Sequence, residues 1–288
     1  MSTLDLTATT TSQPTGFWRR FARNRMALAG FAVIAAMILL SYAGPLFSGY
    51  DANRIDILHR FVPPLHGGHI LGTDELGRDI LARLMAGGRI SLAIGLIAML
   101  ISVVIGTTIG MVAGYRGGFI GAALMRFVDA VMAFPTIFLV LALALLIKPG
   151  IVSTTLLIAA TSWMGVARLV EGQYRALRNA EYAAAARTFG ASSLRVMVVE
   201  LLPNVAGAII VVATLNVARA ILLESYVSYL GYGIQPPAAS WGNMLNNAQV
   251  YLSSAPWLAI VPGLAITLTV ASFNFMGEGL RDILDPRS

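Results

Sequence analysis

The chain has 288 residues, 57% hydrophobic and 12% charged, with a mean hydropathy of +0.75. A soluble domain carries about a quarter charged residues, so this balance, with repeated apolar runs of span length, excludes a soluble globular domain and indicates a multispan membrane protein. The spans are expected to be helical, since a barrel would show alternating segments of about ten residues. A net charge of +6 reports topology here rather than nucleic-acid binding, and the absence of cysteine excludes a disulfide framework or thiolate metal site.

In chain order, residues 1–16 are polar and Ser/Thr-rich and are expected to be a disordered cytoplasmic tail. Residues 17–48 form an N-terminal module with the first span, at about 26–48. Ser41-Tyr42-Ala43 weakly resembles a signal-peptidase site, but the apolar run continues through Gly44-Pro45-Leu46-Phe47, so a retained span is expected. Residues 49–89 form an extracytoplasmic segment in which Ile80, Leu81, Leu84 and Met85 predict a short helix lying at the membrane surface. That segment reads equally as a packed loop or as a partner-receiving one. Five further spans follow at about 90–114, 122–147, 151–170, 204–230 and 256–277. They make a core over 90–278, with a polar loop at 171–203 and a tail at 279–288.

With the N-terminus inside, thirteen Lys and Arg residues fall in inner segments and six in outer ones, with Arg219 inside a span. This bias predicts that both termini are cytoplasmic. The polar loop would then be cytoplasmic too. Its residues 178–204, RNAEYAAAARTFGASSLRVMVVELLPN, read as two short helices. Ala183 to Ala186 favour helix with a low profile. Gly190 allows a sharp turn. Ser192 or Ser193 can cap the second helix, whose predicted stripe is Leu194, Met197, Val198 and Leu201. Pro203 is expected to end it, with Asn204 capping the next span. Spacing alone leaves two readings open, an ordinary polar loop or a lever that docks a soluble partner.

The same stretch resembles the EAA loop of ABC importer permeases: Glu181, Ala183 and Ala184 near its start, Gly190 nine residues after the glutamate, and Leu202-Pro203 at its end. Tyr182 departs from the motif's alanine, as is common in the peptide branch. FWRRFARNRMALAGF (17–31), LGTDELGRDILARLMAGGRISL (71–92), YLGYGIQPPAASWGNML (229–245) and FNFMGEGLRDILDP (273–286) resemble the C-type permease of dipeptide and oligopeptide importers. Together they cover nearly all of the chain after residue 16. The resemblance implies an all-α membrane protein of six transmembrane helices in the type I ABC importer permease fold, with cytoplasmic coupling helices. It implies a bacterial inner-membrane subunit paired with a second permease, two ATP-binding subunits and an extracytoplasmic substrate-binding protein. Nickel, glutathione and other peptide-like cargo use the same branch.

The chain has no GxxxxGK[ST] motif, so ATP and Mg would sit on the partner subunits, and this chain would be non-catalytic with no cofactor of its own. His66-Gly-Gly-His69 offers too few ligands for a convincing metal site. On the resemblance, Glu181, Tyr182, Ala183, Ala184, Arg187, Gly190, Ala191, Arg195 and Pro203 are the candidate ATPase-coupling residues. Asp129, Asn216, Arg219 and Glu224 are polar groups in spans, hence candidates for the pathway or the permease–permease interface. Asp129 also reads as an interfacial ion pair with Arg126, and Glu224 as a rim contact near the outer surface. Asp74, Arg78, Asp79, Trp241 and Asn243 are candidates for docking the binding protein. Trp241 also reads as an interfacial anchor, and Asn243, Asn246, Asn247 and Gln249 as uncharged donors to peptide backbone. A secondary transporter or channel, or a membrane scaffold, are the competing classes. Few intramembrane relays and no clear repeat argue against the first, and the loop resemblance argues against the second.

Overall fold

The computed structural model describes Phe21 and residues 24–284, so the expected tail at 1–16, along with Arg19, Arg20 and Arg23, lies outside the described residues. So do residues 285–288, with Arg287, of the expected tail at 279–288, whose first six residues instead continue the last helix. Within them every regular element is helical: α1 (Arg25–Tyr42), α2 (Gly44–Phe47), α3 (Ile80–Arg116), α4 (Gly118–Met132), α5 (Thr136–Ala144), α6 (Ile151–Leu177), α7 (Glu181–Thr188), α8 (Ser193–Arg195), α9 (Leu202–Tyr229), α10 (Trp241–Met244) and α11 (Trp257–Leu284). Five helical stretches are long and apolar enough to cross a membrane, namely α1, α3, α6, α11 and the continuous run Ser193–Tyr229. α4 and α5, bent by 79° at their junction, pass the same test together and make six spans if the pair is taken as one. Pro135 explains that bend: it has no N–H to donate, and its ring bars the preceding residue from helical geometry.

The predicted surface helix at residues 80–85 is instead the start of α3. Asp79 caps it, accepting a hydrogen bond from the Ala82 amide at 2.7 Å, and the helix then runs unbroken for 37 residues. At 1.5 Å per residue this is about 55 Å, well over the roughly 30 Å of a hydrocarbon core, so its first turns project beyond the apolar layer. The apolar face of Ile80, Leu84 and Met85 is buried against protein, not presented to a surface.

The strongest packing is between α3 and α6, which run parallel. Small residues recur every fourth position on α3: Ala98, Ser102, Gly106, Gly110 and Gly114. Each meets α6 one turn further along, Ser102 Oγ bonding the Ala159 carbonyl at 3.2 Å, and the glycines lying against Trp163–Val166, Ala167–Val170 and Glu171–Tyr174 in turn. Without a hydrophobic gradient between helices in lipid, such close backbone approach supplies the attraction. Around this pair, α9 packs on α3 through Ile221 on Gly95 and on α11 through Leu215 on Gly277, while Gly30 seats α1 on α11.

The two ends of the bundle differ. One gathers residues 49–79 with 230–256 around Ile80, Ala248, Ala255 and Leu258, tied by Trp257 Nε1 to the Thr73 carbonyl at 3.1 Å. The other carries α7 and α8 on a cluster of Val166, Val170, Tyr174, Ala183, Val196, Met197, Leu201 and Val205.

Candidate functional site

The turn between α7 and α8 is set by Gly190 at φ +80°. The Gly190 amide bonds the Arg187 carbonyl and the Ala191 amide bonds the Ala186 carbonyl, both at 3.0 Å. These two crossing bonds are the Schellman closure that a left-handed glycine permits. Ser192 then caps α8, its Oγ accepting from the Arg195 amide at 3.3 Å. Ala183 is buried, with Tyr174 beneath it, whereas Glu181, Tyr182, Ala184, Arg187 and Arg195 face outward. The hairpin therefore rests on one small residue and presents the others.

Two anchors seat it. Tyr174 of α6 is fully buried and donates its hydroxyl to the Met197 carbonyl at 3.0 Å. Arg187 Nη1 donates to the Arg178 carbonyl at 2.8 Å, and the Arg178 guanidinium lies over Gly117 at the end of α3. Movement of the hairpin is thus tied to α3 and α6 as well as to α9.

The second helix departs from its predicted form. Residues Val196–Leu201 make a wide π turn, in which the Leu202 amide bonds the Met197 carbonyl five residues back. Such turns align positions five apart, so Val196 and Leu201 are buried with Met197, while Leu194 (64% exposed) and Val198 are turned out. Pro203 does not end the helix. It stands in the first turn of α9, where a missing N–H is tolerated. Asn204 does not cap α9 either; its Nδ2 donates to the Glu200 carbonyl at 2.7 Å. The hairpin's outer surface also carries Phe189, 91% exposed. Tyr182, Arg187, Leu194 and Arg195 are exposed on it too.

The polar residues of the spans separate into three cases. Asp129 pairs with Arg168 of α6, not with the exposed Arg126. Arg219 is exposed, and Asn216, one turn earlier, is buried with its Nδ2 lacking an acceptor. Glu224 is fully enclosed, neither a rim contact nor able to touch a partner subunit. It accepts from Ser228 Oγ at 2.7 Å and Ser91 Oγ at 2.8 Å. Those hydroxyls in turn accept from the amides of Ile234 (3.0 Å) and Trp241 (3.1 Å). One carboxylate thereby joins α3, α9 and the loop between α9 and α10.

The residues expected to dock a binding protein are turned inward. Asp74 holds Arg78 at 2.7 Å and lies 3.5 Å from Arg83, and all three are buried. Asp79 caps α3 and meets His69 at 2.8 Å. Trp241 is fully buried, its Nε1 donating to the Leu84 carbonyl at 3.0 Å, so it is no interfacial anchor. Asn243 closes a capping box with Ser240 and donates to the Ala238 carbonyl at 2.7 Å, and Asn246 donates to the Tyr229 carbonyl at 2.8 Å. The reason is that these loops share only a small apolar cluster, so polar staples also hold them. His66 bonds the Pro64 carbonyl, and among the described residues no three His, Asp or Glu side chains converge as metal ligands. Sequence reasoning passed over Tyr174, Ser91, Ser228 and the α3 glycines. The four-residue spacing of Gly106, Gly110 and Gly114 was the available signal for the last.

Residues 106–288 match the family model described as the binding-protein-dependent transport system inner membrane component. The chain belongs to this permease family. Residues 12–64 of the permease also match the N-terminal TM domain of oligopeptide transport permease C. It is 41% identical over 271 residues to the dipeptide transport system permease protein DppC of Bacillus subtilis, covering 94% of this chain and 84% of the relative. It is 38% identical to the oligopeptide transport system permease protein OppC of the same organism, over 93% of this chain and 88% of that one. It is 39% identical to the di/tripeptide transport system permease protein DppC of Pseudomonas aeruginosa, over 94% and 91%. The permease is a multi-pass membrane component of type I ABC importer fold.

Proposed function

We propose that this chain is the C-type permease of an ATP-driven importer of dipeptides and oligopeptides in the bacterial cytoplasmic membrane. The observation that carries the proposal is the exposed, firmly seated hairpin from Glu181 to Arg195, in a chain whose relatives are named for dipeptide and oligopeptide transport. Two ATP-binding subunits, holding ATP and Mg, dock on Glu181, Tyr182, Arg187, Gly190, Ala191 and Arg195, with Ala183, Ala184 and Pro203 shaping the hairpin and its link to α9. ATP closes the pair, the hairpins move together, and α3, α6 and α9 rock between inward and outward access. A second permease completes the pathway, lipid surrounds the pair, and a substrate-binding protein delivers peptide to the end that carries residues 49–79. The excess of Lys and Arg toward the hairpin end supports cytoplasmic termini.

Detergent extraction of the chain expressed with its genomic neighbours tests this. A complex holding a second permease and ATPases, with hydrolysis stimulated by peptide-loaded binding protein, is the expected result. A lone chain or homo-oligomer without ATPase would sink it.

Gly190 gives a sharper probe of coupling. Nothing lies within 4 Å of a Cβ built there, so space is not limiting and φ +80° is. Left-handed geometry costs an L-residue about 1–2 kcal/mol and a β-branched one more. Gly190→Val is expected to lower peptide uptake per ATP about tenfold with the complex still assembled, whereas Gly190→Asn, which tolerates this region, retains most of it. Equal uptake by both variants would show that the turn is not where force enters.

A further inference from the structure

We propose that Arg219 binds the carboxylate of a peptide in transit, at mid-membrane depth; this rests on the importer reading above. Arg219 stands ten residues before Tyr229, the end of α9, so it lies about 15 Å below that end, half of a roughly 30 Å apolar layer. It is exposed and makes no ion pair or hydrogen bond among the described residues. The nearest carboxylate along α9, Glu224, is turned to α3 with both oxygens held by serines. A guanidinium left to lipid at this depth is strongly unfavourable, so the face must meet a cavity or an anion.

The surroundings favour an anion that passes. Arg219, Leu222 and Tyr226, at i, i+3 and i+7, make one exposed strip of α9. The strip carries donors and no carboxylate. A peptide with an unmodified C-terminus always brings a carboxylate, and the planar guanidinium fork matches its two oxygens. Arg219 would thus hold the one charge common to cargoes of any sequence, and release it as the spans rock.

The test uses the whole complex in lipid vesicles with its binding protein, and peptide pairs that differ only as C-terminal acid or C-terminal amide and load the binding protein equally. The wild type is expected to transport the acid at least tenfold faster than the amide. Arg219→Gln is expected to bring acid transport down to the amide rate, and Arg219→Lys to restore part of the difference. A wild-type ratio near one, or an unchanged ratio in Arg219→Gln, overturns the proposal. Loss of the second permease from the purified Arg219→Gln complex also overturns it, showing an intersubunit ion pair instead. Failure of the wild type to move any peptide would strike the importer reading itself, and is distinguishable because it needs no variant.

Discussion

Gly110→Leu is expected to reduce the yield of assembled permease at least tenfold. A Cβ at this position would stand 2.5 Å from the Ala167 carbonyl oxygen, 2.8 Å from Val170 Cβ and 2.9 Å from the Glu171 amide. Two of these are backbone atoms of α6, which cannot rotate away, so α3 and α6 must separate along their length. Forcing even one extra methylene into a packed core costs about 1–3 kcal/mol, and here the main helix pair of the bundle is opened. The damage also travels: α6 ends in Tyr174, whose hydroxyl holds Met197 and whose ring underlies Ala183, so the exposed hairpin loses its seat. Gly110→Ala is expected to be intermediate. Gly165→Ala is the control, because nothing lies within 4 Å of a Cβ there although it is also a mid-helix glycine on α6. Size-exclusion yield and melting temperature in detergent read the result. Wild-type behaviour of Gly110→Leu would show that the helices do not approach this closely.

Glu224→Ala is expected to be the most damaging change at the opposite end. It removes the acceptor for both Ser91 and Ser228 in a site with no access to water. Each buried hydroxyl left without a partner costs about 1–3 kcal/mol, and an empty volume is left as well. The loop between α9 and α10 should come loose, since Ile234 and Trp241 are held through those two serines. Glu224→Gln keeps the shape and one acceptor but sets an NH₂ against a hydroxyl that donates, so a smaller loss is expected. Thermal melting of the purified complex, with proteolysis of residues 231–240 as a local readout, separates the three proteins. Equal melting temperatures would place Glu224 outside the hydrogen-bond chain described here. Ser91→Ala and Ser228→Ala should each reproduce part of the loss, and less than additively, since they share one carboxylate.

How much of this could be read from the chain depends on the range of each signal. Apolar runs, the turn at Gly190 and the capping serine at position 192 are local signals. Each depends on the backbone preferences of a few neighbouring residues, and the spans and the hairpin follow from them. Whether α3 begins at residue 80 or 90 is not local: residues 80–89 contain Arg83 and Arg89, which lower hydropathy, yet Arg83 is buried beside Asp74, and Arg89 bonds the carbonyls of Ser41 and Tyr42. Hydropathy counts a charge as exposed until a partner from elsewhere satisfies it. The same reason explains Asp74, Arg78, Trp241 and Asn243, which read as surface groups in sequence and are internal staples once the two loops meet. The π turn escaped because helical periodicity assumes one pitch throughout.

The sequence by itself determined that this protein crosses a membrane several times, that a glycine-hinged polar hairpin interrupts its spans, and which family it resembles, because composition, periodicity and motif spacing are properties of order along the chain. Only the tertiary structure decided which polar groups are tied up and which stand free. Glu224 and Arg219 lie five residues apart on one helix, and a turn of that helix points one at two serines and leaves the other without a partner among the described residues. Burial is set by what packs against each face, and no stretch of α9 alone contains that information.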